Sequence, residues 1–329
     1  MLNHKLYLNK EIFSNKVEKK TTRAGFGSGL AKAGDPSADG NKNVVALTAD
    51  LRDSVNSTEF AKKFPERFFE CGVAEQNMIT VASGLAISGK IPFTTSYAVF
   101  SPGRNWEQIR TTIAYNNVPV KIVGGHTGLL TSFDGATHQA LEDIALMRVM
   151  PNIKVIVPCD FFEAEKATLA MAKDKQPNYL RLNRPELPVL TTGKTPFAIG
   201  KAQVFWTSSK PQVTIIACGE EVYYSLLAAK TLEEKNIEVE VINLSTVKPL
   251  DSRTILESVK KSGKVITVED HQVAGGMGSA VAEFLAENYP VKIKFLGVHD
   301  AFGESGKPEE LLAKHGLLAK DIVKAVESL

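Results

Sequence analysis

The chain has 329 residues, room for two domains at roughly 100 to 200 residues each, and each half is long enough to bury a core without metals or disulfides. Its 39 lysines and arginines against 37 acids leave a formal net charge of +2. No long block of one sign is present, so neither nucleic acid nor a membrane surface is the expected partner, and recognition falls to a local site.

In chain order, residues 1–20 (MLNHKLYLNKEIFSNKVEKK) mix charge into their apolar positions. They make neither a signal-peptide core nor a span of roughly 18 apolar residues, and are expected to be a loosely held arm. GFGSG, Gly25–Gly29, reads as a flexible helix entry. From Val44, short β-branched runs alternate with helical periods, the pattern of βαβ units and a parallel sheet. Strands are expected at VVALT (Val44), RFFEC (Arg67), IPFTTS (Ile91), PVKIVGG (Pro119), IKVIVP (Ile153) and NYLRLN (Asn178). Helices are expected from Glu75, Arg104, His138 and Phe162. RLNRPELPVLTTGKTP, rich in Pro, Thr and Gly, places a domain boundary near residue 190. A second series follows: QVTIIACG, a helix from Glu220, IEVEVINL, a helix from Asp251, KVITVED, a helix from Gly276, VKIKFLGV and a helical tail. The expected fold class is α/β, with domains at 21–190 and 191–329 and mainly parallel sheets. Cys71, Cys159 and Cys218 lie far apart in apolar runs, which reads as buried thiols in a reducing, cytoplasmic compartment.

In such sheets the ligand lies beyond the carboxyl ends of the strands, so the polar loops there are the candidates. Glu75 opens an otherwise apolar helix after RFFECG. Alone it would be a dipole-complementing acid, but Tyr97 and Phe100 on the next loop could wall it in, and a carboxylate beside aromatic rings is retained where it shares a proton with a ligand. Asp134 and His138, in FDGATHQ, could merely form a turn and a helix start. The preceding loop, however, brings His126 among Gly124, Gly125 and Gly128, and the group suggests a polyol or carbonyl site. Arg184 follows a strand end directly and is a candidate oxyanion or phosphate contact, with Arg23 a weaker one; Arg181 reads more simply as a solvated charge at the junction. GGMGSAV, Gly275–Val281, imitates a dinucleotide loop, but its third glycine is missing and it lies too far from its strand.

Taken in order, TADL, FFECGVAEQN, GHTG followed by DGATHQ, MRVMPNIKVIVPCD, NRPELPVL, STVKPLD and VEDH resemble the C-terminal half of transketolase, from about Arg23 to the end of the chain. The resemblance implies thiamine diphosphate as cofactor, a pyrimidine-binding domain followed by a transketolase C-terminal domain, and ketol transfer between sugar phosphates. No GDG followed by the asparagines of a diphosphate and magnesium site is present, so Mg²⁺ or Ca²⁺ and the diphosphate are expected on a separate N-terminal subunit in an α2β2 assembly, with no metal held here. It implies that Glu75 holds N1′ of the pyrimidine so that the cofactor's 4′-imino group can act as base. Tyr97 and Phe100 would stack on that ring, and Asp50 would lie near the cofactor at the subunit interface. Asp134 would meet the acceptor's C2 hydroxyl, His138 the donor's carbonyl, and His126, Arg184, Arg23 and Ser54 the sugar phosphate. Gly103 stands where many relatives have a third aromatic, and Phe133 where many have glutamate. The resemblance also reaches the β subunits of 2-oxoacid dehydrogenases, which usually carry a different histidine loop, and deoxyxylulose-phosphate synthase, normally one long chain. A non-catalytic subunit would have no need to bury an acid, histidines and an arginine.

Overall fold

Strands covered by helices on both sides bury both faces, which is why central strands such as Val44–Thr48 and Val213–Ala217 are buried along their whole length. In the computed structural model, which describes residues 1–329, they build two main sheets. The larger runs, edge to edge, Phe68–Glu70, Val44–Thr48, Ile91–Tyr97, Lys121–Gly125, Asn178–Arg181, Lys154–Ile156 and Thr246–Lys248. All are parallel except the last, which comes from the C-terminal part of the chain and pairs antiparallel with Lys154–Ile156. The second sheet runs Lys292–Val298, Lys264–Gln272, Val213–Ala217, Val239–Asn243 and Gln203–Trp206, parallel but for the final pair. The chain is therefore an α/β protein of two domains. No helix is long and apolar enough to cross a membrane.

The apolar interior is continuous between the sheets. One cluster joins Val155, Val157 and Tyr179 of the first to Ile216, Ile242, Val247 and Met277 of the second, so the two units share a core rather than a wet interface.

Five local expectations need correction. The N-terminal arm is docked. Asn3 and Asn9 donate backbone N–H groups to Phe205 and Leu190 at 2.9 and 2.8 Å, Ile12 is fully buried, and Lys19–Lys20 pairs antiparallel with Leu187–Pro188. Its apolar residues are irregularly spaced and pack one at a time while Lys5, Lys10 and Lys16 stay in solvent, so no period betrays the docking. GFGSG lies inside the helix Thr22–Ala33, not at a flexible entry. A Cβ on Gly25 would sit 2.1 Å from the Phe161 carbonyl oxygen, and one on Gly29 2.8 Å from that of Glu165; the glycines let the helix Phe161–Lys173 pass at backbone distance. The helix expected from His138 begins at Asp143, because His138 lies in a turn closed on the Gly135 carbonyl and Ala140 bridges Thr127 and accepts from Gly128 N–H at 2.8 Å. Cys159 and Cys218 are buried free thiols, but Cys71 is half-buried. The helix expected from Arg104 starts at Trp106 and widens into a π-helical segment over Ile109–Ala114.

Candidate functional site

Parallel pairing sets Tyr97 beside Gly125 and Gly124 beside Arg181, so the loops leaving three adjacent strands converge. Tyr97 ends its strand, and His126, next after Gly125, stacks on it with ring centroids 3.7 Å apart. Phe100 lies parallel to Tyr97 within 8° at 6.1 Å. His138 meets both rings edge-on, at 6.1 and 5.5 Å, its Nδ1 hydrogen-bonded with the Thr137 hydroxyl at 2.9 Å. Arg184 donates from Nη1 to the Thr131 carbonyl at 2.9 Å and to Asp134 Oδ1 at 3.0 Å. Arg23, from the glycine-bearing helix, donates to the carbonyls of Arg184 (2.8 Å) and Ser54. Eight of the expected residues, Arg23, Ser54, Tyr97, Phe100, His126, Asp134, His138 and Arg184, thus form one cluster.

Glu75 joins it through a residue the sequence reading passed over. It is the first residue of the helix Glu75–Ile87, and its side chain is 1% exposed. Arg104 Nη1 donates to Glu75 Oε2 at 2.6 Å, and the same guanidinium lies over the Phe100 ring at 4.7 Å. Asn105 Nδ2 donates to the Glu75 carbonyl at 3.1 Å. A buried carboxylate needs a cation or several donors, and that rule was the available signal for Arg104. A Cβ on Gly103 would lie 2.0 Å from the Val99 carbonyl oxygen, so no side chain fits there; the stacked guanidinium of the next residue flanks Phe100 instead. Asp50 stands apart: it is exposed, its backbone N–H donates to Glu70 at 2.8 Å, and it bonds to none of the others. Phe133 is 63% exposed.

The charges and unmet donors of the cluster set what it could bind. Burial, with Arg23, Arg184 and His138 adding to it, lowers the His126 pKa to about 3, so this imidazole is neutral at physiological pH. Burial also lowers the Arg23 pKa, opposed by Tyr97 and reinforced by Arg184. His126 Nδ1 and Arg23 Nε are buried without a partner. Two neighbouring guanidiniums and two unmet ring and guanidine nitrogens are what a phosphate or carboxylate would satisfy.

Arg181 is no solvated charge. It is 2% exposed, with Nε on Asp143 at 3.0 Å and Nη2 on the Asp270 carbonyl at 2.7 Å. Burial works against its charge, but Asp143, Glu220 and Asp270 hold its pKa above the ordinary value. GGMGSAV is not a nucleotide loop: the N–H groups of Met277 and Gly278 already donate to the buried Glu269 carboxylate, at 2.6 and 2.8 Å.

The transketolase pyrimidine-binding domain model matches residues 18–189, and the transketolase C-terminal domain model matches residues 200–322. A "Putative transketolase C-terminal section" of Methanocaldococcus jannaschii is 43% identical over 93% of this chain and 95% of that protein. The 6-deoxy-6-sulfo-D-fructose transketolase subunit SqwH of Clostridium sp. is 40% identical over 87% of this chain and 88% of that one. A solved split gene transketolase, described as an inactive beta4 tetramer, superposes with a TM-score of 0.86 at 43% identity, covering 94% of this chain and 97% of that chain. On these matches and this architecture, the chain belongs to the transketolase family, as its pyrimidine-binding and C-terminal domains.

Proposed function

We propose that the chain is the pyrimidine-binding subunit of a two-subunit, thiamine-diphosphate-dependent transketolase that moves a two-carbon ketol unit from a ketose to an aldose. The observation that carries this reading is a carboxylate, Glu75, only 1% exposed and linked through Arg104 to the Phe100 ring, which lies parallel to Tyr97. The residues fit the aminopyrimidine end of the cofactor, with a buried acid for a ring nitrogen and flat aromatic faces for the ring. When bound, the cofactor supplies the carbon nucleophile and the electron sink that ketol transfer needs.

In this reading Glu75 holds a proton toward N1′, and Tyr97 and Phe100 flank the ring. Asp50 lies nearer the subunit interface. His138, edge-on to both rings, donates to the donor's carbonyl oxygen, and Asp134 accepts from the acceptor's C2 hydroxyl. His126 serves as a neutral donor, and with Arg23, Arg184 and the Ser54 segment it binds the anionic end of the sugar. That end is a phosphate or, as the SqwH relative's name suggests, a sulfonate; both present three oxygens to a guanidinium fork.

The partner subunit, in an α2β2 assembly, would carry the diphosphate and its Mg²⁺ or Ca²⁺. The helix that begins with Glu75 supports this. Its outer face exposes Val81 and Ile87 beside Gln76, Asn77, Thr80 and Gly84, with Val73 71% exposed just before it, an apolar surface suited to burial against another chain. Free thiols support a cytoplasmic location, and the division between the two domains falls near residue 190.

The test is Glu75→Gln, assayed with the partner subunit and thiamine diphosphate. Turnover should fall about 10²- to 10⁴-fold, the range for a lost acid-base group. Wild-type turnover in that variant would overturn the assignment.

A further inference from the structure

We propose that the C-terminal domain is a positioning element of the substrate site, with Asp270, Gln139 and Ser305 holding the loop Gly128–Gln139 in the shape that presents Asp134 and His138. The roles of Asp134 and His138 rest on the reading above; the clasp itself does not.

The loop carries strained backbone at three positions. Its φ is +67° at Gly128, +68° at Ser132 and +75° at Gly135, and at Ser132 a side chain occupies a left-handed region that favours glycine, a conformation kept only when its surroundings enforce it. Those surroundings are largely the other domain. Asp270, 1% exposed at the carboxyl end of the strand Lys264–Gln272, accepts from Leu129 N–H on Oδ1 at 2.9 Å and from Leu130 N–H on Oδ2 at 3.3 Å. A Cβ on Gly128 would stand 2.0 Å from Asp270 Oδ2, so the contact requires glycine on conformational and steric grounds alike.

At the far end, the segment after the strand Lys292–Val298 closes over the loop. Ser132 Oγ donates to the Gly306 carbonyl, and Ser305 Oγ to the Phe133 carbonyl, each at 2.7 Å. Gln139 Nε2 lies within reach of three carbonyls, those of Leu129 (3.3 Å), Ser132 (3.2 Å) and Glu304 (2.9 Å), and so ties both ends of the loop to the second domain. A Cβ on Gly303 would be 1.9 Å from Gln139 Oε1, so this side too is cut for close approach. The first domain adds Arg184 on Thr131 and Asp134. Asp134 is thus gripped by its side chain from one domain and by its flanking backbone from the other.

Two variants test the clasp. Asp270→Asn keeps the shape but replaces one of the two acceptors with a donor, and Ser305→Ala removes a hydroxyl at an exposed position where folding is not at stake. Hydrogen exchange in the isolated chain should speed up about 3- to 10-fold in a peptide covering 126–141, the effect of losing one hydrogen bond. Peptides covering 91–97 and 213–217 should be unchanged. With the partner subunit, KM for the acceptor should rise by a similar factor while kcat changes less. Unchanged exchange at 126–141 in both variants, or a uniform rise in every peptide, would overturn the proposal. If exchange rises locally while the wild-type assembly transfers no ketol group, the transketolase reading falls and the clasp stands.

Discussion

Arg104 offers a sharp test of how the site keeps a buried acid. Replacing it with methionine retains the stem over Phe100 but leaves Glu75, 1% exposed, without its cation. Breaking a fully buried pair from one side costs about 3–5 kcal/mol. Here the guanidinium is 46% exposed, so water already screens much of the attraction, and a cost of about 1–2 kcal/mol is expected. Glu75→Gln leaves a neutral amide beside an arginine that can turn to solvent, for less than about 1 kcal/mol. In the double variant nothing charged is stranded, so its stability should match that of Glu75→Gln alone. Thermal unfolding of the isolated chain reads this out without the partner, since about 1–2 kcal/mol corresponds to roughly 2–6 °C in a unit of this size. If the double variant loses the sum of the two single losses, to within about 0.5 kcal/mol, the pair is not coupled and Arg104 does not neutralise Glu75.

Acid should expose the neutral state of His126. Its pKa of about 3 lies below the ordinary 6.5, so the unfolded chain takes up the proton first; this contribution to stability is fully present above pH 6.5 and is lost as pH falls toward 3. The Tm advantage of wild type over His126→Gln should therefore shrink on acidification, and parallel Tm curves between pH 7 and 4.5 would count against it. Gly25→Ala should destabilise by about 1–3 kcal/mol, because its Cβ meets the Phe161 carbonyl at 2.1 Å; an unchanged Tm would mean the helices separate at no cost. Gly84→Ala, with nothing within 4 Å, should stabilise the isolated chain by about 0.5–1 kcal/mol yet weaken titration with the partner, and unchanged affinity would place the interface elsewhere.

The sheet strands were legible because burial on both faces writes itself as unbroken Val, Ile and Leu; VVALT coincides with the strand Val44–Thr48. The candidate residues were legible as loops after strands, and the sheet register brings most of them together. What stayed hidden depends on contacts distant in sequence. Arg104 looked like a helix start, and its task is set by an acid 29 positions earlier. Asp270 stood in a motif with no visible target, since the amides it caps lie 140 and 141 residues away. Gly25 and Gly29 suggested looseness, while the neighbouring backbone that demands them belongs to residues 161 and 165.

The strand Thr246–Lys248 makes the junction between the two units harder to cut than a linker would be. It seals the rim of the larger sheet against Lys154–Ile156, and Val247 sits in the shared apolar cluster. A fragment ending near residue 190 would bare a row of main-chain amides and carbonyls on a β-rich edge, an invitation to stick to any free strand. Modular swaps with relatives should therefore carry this ribbon along, or the recipient will precipitate before its chemistry can be asked about.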